Sequence, residues 1–229
     1  MVAAVTDVSP VPGASDRTRV RRLPERAVNQ VAALHAVLDA CLIAHVAVID
    51  DDGQPYVLPV AFARRGDEVV FHGSTGSRLF RSLADGGPTC LTVTRLDGLV
   101  LARSAFESSM NYRSAMVLGV ARRLTGDDEL DALRTITEHL LPGRWADCRP
   151  PSPKERAATM TLALSLAESS VKIRTGGPED VPEDITDPVY APVWAGTVPL
   201  TESFGEAIRS TEAQPDAPVP SYISTWRRA

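Results

Sequence analysis

Cysteine is scarce in this chain of 229 residues: there are three, Cys41, Cys90 and Cys148, and no C-x-x-C spacing. So sparse a set excludes a disulfide framework and a thiolate zinc site, and points to a reducing compartment. The four histidines, His35, His45, His72 and His139, fall in no HExxH or comparable metal spacing. No apolar run approaches the roughly 20 residues needed to cross a bilayer, and no charged-then-apolar leader opens the chain. The expectation is a soluble, cytoplasmic protein. Basic runs are also missing. The pairs Arg21-Arg22, Arg64-Arg65 and Arg122-Arg123 stay isolated within a net charge of -5, which argues against nucleic acid or an anionic membrane as the main partner. Neither GxGxxG nor GxxxxGK[ST] occurs, so a Rossmann domain and a P-loop are set aside. No Ser-His-Asp or Cys-His grouping suggests a nucleophile.

What is present is ordinary globular material: 44% hydrophobic and 23% charged residues, enough for one core of generous size. Residues 1–20 lack periodicity and read as a mobile tail, 21–200 as one domain, and 201–229 as an extension. Val28, Val31, Leu34, Leu38 and Cys41 sit three or four apart, which predicts a helix from Glu25 to Ala40. The period then shortens to two. Strands are expected over Leu42–Asp50, Gln54–Ala63, Glu68–His72, Thr89–Thr94, Gly98–Arg103, Ser114–Leu124, Met160–Leu166 and Val171–Arg174, with Asp51-Asp52-Gly53 and Arg65-Gly66-Asp67 as turns. Pro55 and Pro59 confine the second strand to an edge or a bulge, because proline donates nothing to a ladder. Short helices are expected over Ser77–Ala84 and over Asp127–Leu140, with Asp127 as the cap. Six or seven short strands with few helices define a mainly β chain, an α+β barrel or sandwich.

Four stretches carry the chemistry. "HGSTGSR", from His72 to Arg78, leaves a strand through glycines and hydroxyls and enters a helix with an arginine. It is either a capped turn or a cradle in which backbone N–H groups, Ser74, Ser77 and the Arg78 fork meet an anion. "SSMNYRSAMVLG" places Tyr112, Arg113 and Ser114 before an apolar strand, where a ring and a guanidinium suit a planar phosphorylated ligand or simply an edge and an ion pair. "GQPYVLPVAFAR" is a strand whose prolines release backbone groups, either to a heterocycle or to solvent. "PVWAGTVPL" holds Trp194, a packing anchor or a stacking ring.

In this order and spacing, "DDGQPYVLPVAF", "HGSTGSR", "LDGLVLARSAF…NYRS" and "PVWAG" resemble the pyridoxamine 5'-phosphate oxidase-like superfamily of FMN-binding split barrels, in particular its flavin-nucleotide-binding and nitroimidazole-resistance branch. The resemblance runs from about Arg22 to Leu200. It implies a six-stranded split β-barrel that forms a homodimer with FMN at the subunit interface. Val57, Leu58 and Val60 would run beside the isoalloxazine. His72, Gly73, Ser74, Ser77 and Arg78 would surround the phosphate or ribityl chain, Tyr112, Arg113 and Ser114 would complete the phosphate side, and Trp194 would approach from the second chain. His72 is the lead for a position close to the flavin. The activity implied is an FMN-dependent oxidoreductase that passes electrons from a reduced nicotinamide, NAD(P)H, to a nitro compound or quinone. A flavin carrier or sensor, or the same barrel with deazaflavin or haem, are the alternatives. The closing "SYISTWRRA" lacks the arginine-leucine-x-proline run of true pyridoxamine phosphate oxidases, so vitamin B6 oxidation is not expected.

Overall fold

The computed structural model describes residues 10–50 and 52–226. Nine strands form one sheet: β1 (Ile43–Ile49), β2 (Pro55–Arg65), β3 (Glu68–Ser74), β4 (Pro88–Leu101), β5 (Ser109–Val120), β6 (Arg122–Arg123), β7 (Thr159–Ser165), β8 (Ser169–Arg174) and β9 (Gly196–Pro199). Their spatial order is β6-β7-β3-β2-β1-β4-β5-β8, with β9 added to β4, and every pair is antiparallel. The sheet curls until Leu118 N–H of β5 donates to Glu168 O in the β7–β8 turn at 2.8 Å. The helices are α1 (Val31–Asp39), α2 (Arg78–Ala84), α3 (Gly126–Leu140), α4 (Arg144–Asp147), α5 (Pro153–Ala158), α6 (Pro182–Thr186) and α7 (Ser221–Thr225).

The strand count exceeds the six or seven expected because β9 is too short to show a period, and because the strand expected over Ser114–Leu124 starts earlier, at Ser109, and divides into β5 and the short β6. Two expected strands, over 89–94 and 98–103, are one, β4. A register shift between Leu96 and Gly98 interrupts its alternation and so divides the pattern in two. Helix α1 begins at Val31 rather than Glu25. The residues before it are drawn into the sheet instead: Ala27 bridges Lys172 and Val28 N–H donates to Val171 O at 3.1 Å. Asp127 lies in the first turn of α3, and Thr125 takes the N-cap position.

Residues 1–9 of the expected N-terminal tail lie outside the described residues. Residues 10–20 are docked: Gly13 N–H donates to Ser169 O at 2.7 Å, Ser15 Oγ donates to Glu168 Oε2 at 2.7 Å, and Thr18 is buried. Residues 201–226 run over the surface and end in α7, where the Phe204 and Trp226 rings meet with centroids 4.0 Å apart.

Two apolar clusters sit on opposite sides of the sheet. The larger fills the barrel, joining Leu34 and Leu38 of α1, Leu79 and Phe80 of α2, and the inward residues of the strands such as Val46, Phe71, Leu91 and Val117. The smaller lies outside, where Ala132 and Ile136 of α3 cover Ala63, Val70 and Ala163. The first turn of α3 is tied to the β2–β3 hairpin by ions. Arg65 contacts Glu68 and Asp128 at 2.5 and 2.8 Å, and Arg122 contacts the same two at 2.9 and 3.1 Å. The Arg122 hydrogen bond holds the Asp128 carboxyl below the usual range.

Candidate functional site

Strand β2 pairs with β1 along residues 55–61 but with β3 only along 62–65. Beyond Phe62↔Phe71 the two strands part, and β3 continues beside β7 through His72, Gly73 and Ser74. This is the split of the barrel. It leaves the edge of β2 at Val57, Leu58 and Val60 without a neighbouring strand among the described residues, in keeping with the two prolines. Asp50 N–H donates to Gln54 O at 3.1 Å, so Gln54, Tyr56 and Leu58 turn their backbone groups toward β1. Alternation then points those of Pro55, Val57 and Pro59 outward. Of these three, Val57 has an amide hydrogen, and its N–H and C=O stand together on the open edge.

The "HGSTGSR" turn follows β3. Gly73 is small for a reason of packing: a Cβ there would lie 2.1 Å from the Phe80 ring of α2. This packing accounts for the glycine by itself, without a ligand. Ser74 Oγ accepts from Gly76 N–H at 3.1 Å, and Ser77 holds the N-cap position of α2 with no side-chain cap bond. Arg78 is exposed, stacked over Tyr56 at 4.7 Å from the ring centroid, with Asp50 at 3.6 Å.

His72 alternates with Val70 and therefore faces the outer side, toward α3. It lines a cavity of about 600 Å³ whose other walls are Leu133 and Thr137 of α3, Arg144, Trp145 and Asp147 of α4, Cys148, Arg149 and Pro151, Glu155 of α5, and Thr159. Its Nδ1 is buried without a hydrogen-bond partner. Burial lowers the imidazole pKa, so the ring is neutral near pH 7. Beside it in register, Thr161 Oγ1 is also buried and unpartnered. Two buried polar atoms left unsatisfied on adjacent strands are costly, and mark a place where a further group belongs.

The other predicted residues lie elsewhere. Tyr112, Arg113 and Ser114 are on β5, and three strands, β2, β1 and β4, separate them from β3. At ~4.8 Å per strand that is about 19 Å across the sheet. Arg113 spends its fork on Asp97, with Nε and Nη2 at 2.9 and 2.8 Å, and this bond raises its pKa. Ser114 Oγ donates to Lys172 O at 3.3 Å. Trp194 is exposed and lies on Gly196, just before β9. One chain therefore does not gather the two arginine stretches into a single phosphate site. His45 faces outward on β1, His35 lies 3.4 Å from Asp67, and His139 bonds Cys41 O through Nε2 at 2.7 Å and packs on Phe62. None of these three reaches the cavity. The cavity walls from Arg144 to Pro151 escaped the sequence reading. Their signal is faint: an arginine, a tryptophan, a cysteine and a second arginine between Pro142-Gly143 and Pro150-Pro151.

Among the described residues no helix covers the outer face of the remaining half-sheet, and Arg17 reaches it beside Ala47, Ile49, Cys90 and Val120. Ile43, His45, Ala47 and Ile49 of β1 pair with Ala61, Pro59, Val57 and Pro55 of β2; Pro88, Cys90, Thr92 and Thr94 of β4 pair with Val120, Leu118, Met116 and Ser114 of β5. After the bulge the face continues through Leu99, Leu101, Met110 and Val198. No Asp, Glu, Lys or Arg stands at any of these positions. Residues 202–204 reach one corner, near His45. Burial pushes the Cys90 thiol up, so it too stays uncharged.

These features have counterparts. Residues 30–173 match the pyridoxamine 5'-phosphate oxidase family model, and the chain belongs to that family. The flavocytochrome Anf3 of Azotobacter vinelandii is 40% identical, over 94% of this chain and 98% of that one, with a TM-score of 0.85. The FAD and haem binding protein of Mycobacterium smegmatis is also 40% identical, over 87% and 96%, with a TM-score of 0.82. A Bacteroides thetaiotaomicron protein named for 5-nitroimidazole antibiotic resistance, 19% identical over 64% and 86% with a TM-score of 0.55, shares the split-barrel fold. No curated protein matches the chain.

Proposed function

We propose that this protein is a redox protein that holds a flavin and a haem at separate places and works as a homodimer. The observation that carries the reading is the His72 cavity. A neutral imidazole with an unpartnered buried nitrogen faces walls of Leu133, Trp145 and Pro151, with Arg144 and Arg149 at the rim and the acids Asp147 and Glu155 bound by Tyr222 and Arg149. These residues fit haem, a flat, largely apolar ring that carries two carboxylates and an iron able to take a histidine nitrogen. The volume of about 600 Å³ is within the usual range for ligand sites of roughly 300–1,000 Å³. Two relatives at 40% identity, one named a flavocytochrome and one for FAD and haem, support the same pairing.

The flavin belongs on the open edge of β2. There the Val57 N–H and C=O offer a donor and an acceptor side by side, as the polar rim of an isoalloxazine requires. Arg78, exposed on the Tyr56 ring beyond the same split, is the cation for its phosphate. The resemblance implied FMN; the FAD named for the Mycobacterium smegmatis relative supports the dinucleotide instead. The uncharged outer face is the surface for a second copy, since a sheet face without charge gains by leaving water. That copy would bring Tyr112, Ser114 and Trp194 to a flavin held by the first. Held by these residues, a flavin would supply two-electron chemistry and a haem one-electron chemistry. The protein's own work is to bind and orient: His72 supplies its ring nitrogen, Trp145 and Leu133 give an apolar wall, and the β2 edge fixes the flavin rim.

The visible spectrum of the purified protein tests this directly. Flavin bands together with a Soret band are expected, the flavin bands bleaching under anaerobic reduced nicotinamide. A spectrum with flavin alone removes the haem, a colourless protein removes both, and an unbleached flavin leaves a carrier in place of an oxidoreductase.

A further inference from the structure

The rim of the His72 cavity holds two arginines in unlike circumstances. Arg149 is neutralised within the chain: Nη1 and Nη2 donate to Glu155 at 2.8 and 2.5 Å. Arg144 has no carboxylate within ion-pair reach among the described residues, although Asp147 lies three residues along the same helix. What intervenes is Tyr222 of the C-terminal helix α7. Its hydroxyl accepts from Arg144 Nη1 at 3.4 Å and donates to Asp147 Oδ2, so the phenol bridges the two and occupies the acid oxygen that a direct ion pair would use. The ring lies against the turn at Gly143, where φ is +91° and a Cβ would meet Tyr222 at 3.2 Å. The start of α4 is fixed from the other side by Glu138, which accepts from Gly143 N–H and Trp145 N–H at 2.6 and 2.8 Å.

We infer that Arg144 receives a carboxylate of the ligand of the His72 cavity, and that Tyr222, from the C-terminal extension, is the positioning residue that keeps Arg144 from pairing with Asp147. The inference rests on the cavity reading above and adds to it. The ligand is a planar, mostly apolar ring system with acidic side arms, and residues 221–225 belong to its site. Arg144 is exposed, so the bond acts in a watery rim and its worth is that of a charge-assisted contact weakened by solvent.

The test uses the full chain, freed of haem, titrated in parallel with ferric haem and with its dimethyl ester, which has the same ring and iron but no carboxylates. The wild-type chain should bind haem about tenfold more tightly than the ester. Arg144→Gln should lower haem affinity to that of the ester and leave ester affinity unchanged, and Arg144→Lys should restore most of the difference. Tyr222→Phe keeps the ring on Gly143 and removes the hydroxyl; it should narrow the gap between the two ligands without shifting the ester. Equal affinity of wild type for both ligands, or equal losses for both in Arg144→Gln, overturns the inference while the cavity reading stands. A wild-type chain that binds neither ligand brings down both.

Discussion

The outer face of the sheet has two halves with opposite fates. Over β2, β3 and β7 it is closed by α3, and Ala63, Val70, Ala163 and Ile136 form a sealed cluster. Over β1, β2, β4 and β5 it is open, yet it is no more polar: Ile49, Val57 and Val120 are each more than half exposed, at 60, 54 and 57%. An apolar face with a helix on it is a core, and an apolar face without one is an interface waiting for its cover. The seam between the halves is the split at Phe62↔Phe71, and both proposed cofactor sites lie along it, the open edge of β2 on one lip and His72 on the other.

The strongest test of that contrast is on the closed half. Ile136→Ala empties a fully enclosed site, and chemical denaturation should show a loss of about 2–5 kcal/mol. On the open half a far cruder change should leave the fold intact. Ile49→Arg keeps the circular dichroism of the parent, but light scattering should find single chains where the wild type gives pairs. If the variant stays paired, or if the wild type is already single, the open face is not the interface. Smaller again is Val57→Pro. That amide points away from β1, so the ladder survives, while flavin affinity should fall by one hydrogen bond, about 0.5–1.5 kcal/mol or roughly two- to tenfold by titration. Arg78→Ala should cost comparable flavin affinity, and unchanged affinity would return the glycine-serine turn to a purely structural role.

The smallest effect lies at the cavity rim. The hydrogen bond from Arg149, then those from Ser152, lower the Glu155 carboxyl from 4.5 to about 2. A depressed carboxylate stabilises the fold fully above the ordinary value, so its contribution to the start of α5 persists above about pH 4.5 and fades as pH falls toward 2. Nuclear magnetic resonance titration of Glu155 should report this, and Arg149→Gln should move the midpoint upward.

The strands were legible where one face is buried and the other is not, because alternation then survives in the chain, as in β1 and β5. The prolines of β2 limited that strand to an edge or a bulge, since a residue without an N–H cannot stand where one is needed, and the strand is an edge along 55–61. What stayed hidden was hidden for physical reasons. The bulge at Asp97 inverts the alternation midway and divides β4 in the reading. The glycine at 73 also makes room for Phe80, a contact between strand and helix that no local pattern encodes. The His72 lead was readable as a residue but not as a site, because its cavity is made by α4 and the segment after it, more than 70 residues further along the chain. Likewise the pairing of Tyr112 and Arg113 with the glycine-serine turn failed within one chain, since sequence order says nothing of the three strands between them.

The central claim is that the two lips of the split hold two different cofactors. Absorption spectra of wild type, Val57→Pro and His72→Ala, purified side by side, test it most directly. The account predicts that Val57→Pro retains less flavin than wild type and keeps its Soret band, and that His72→Ala loses or shifts the Soret band and keeps its flavin. Both bands lost together in either variant, or neither changed in both, would contradict it.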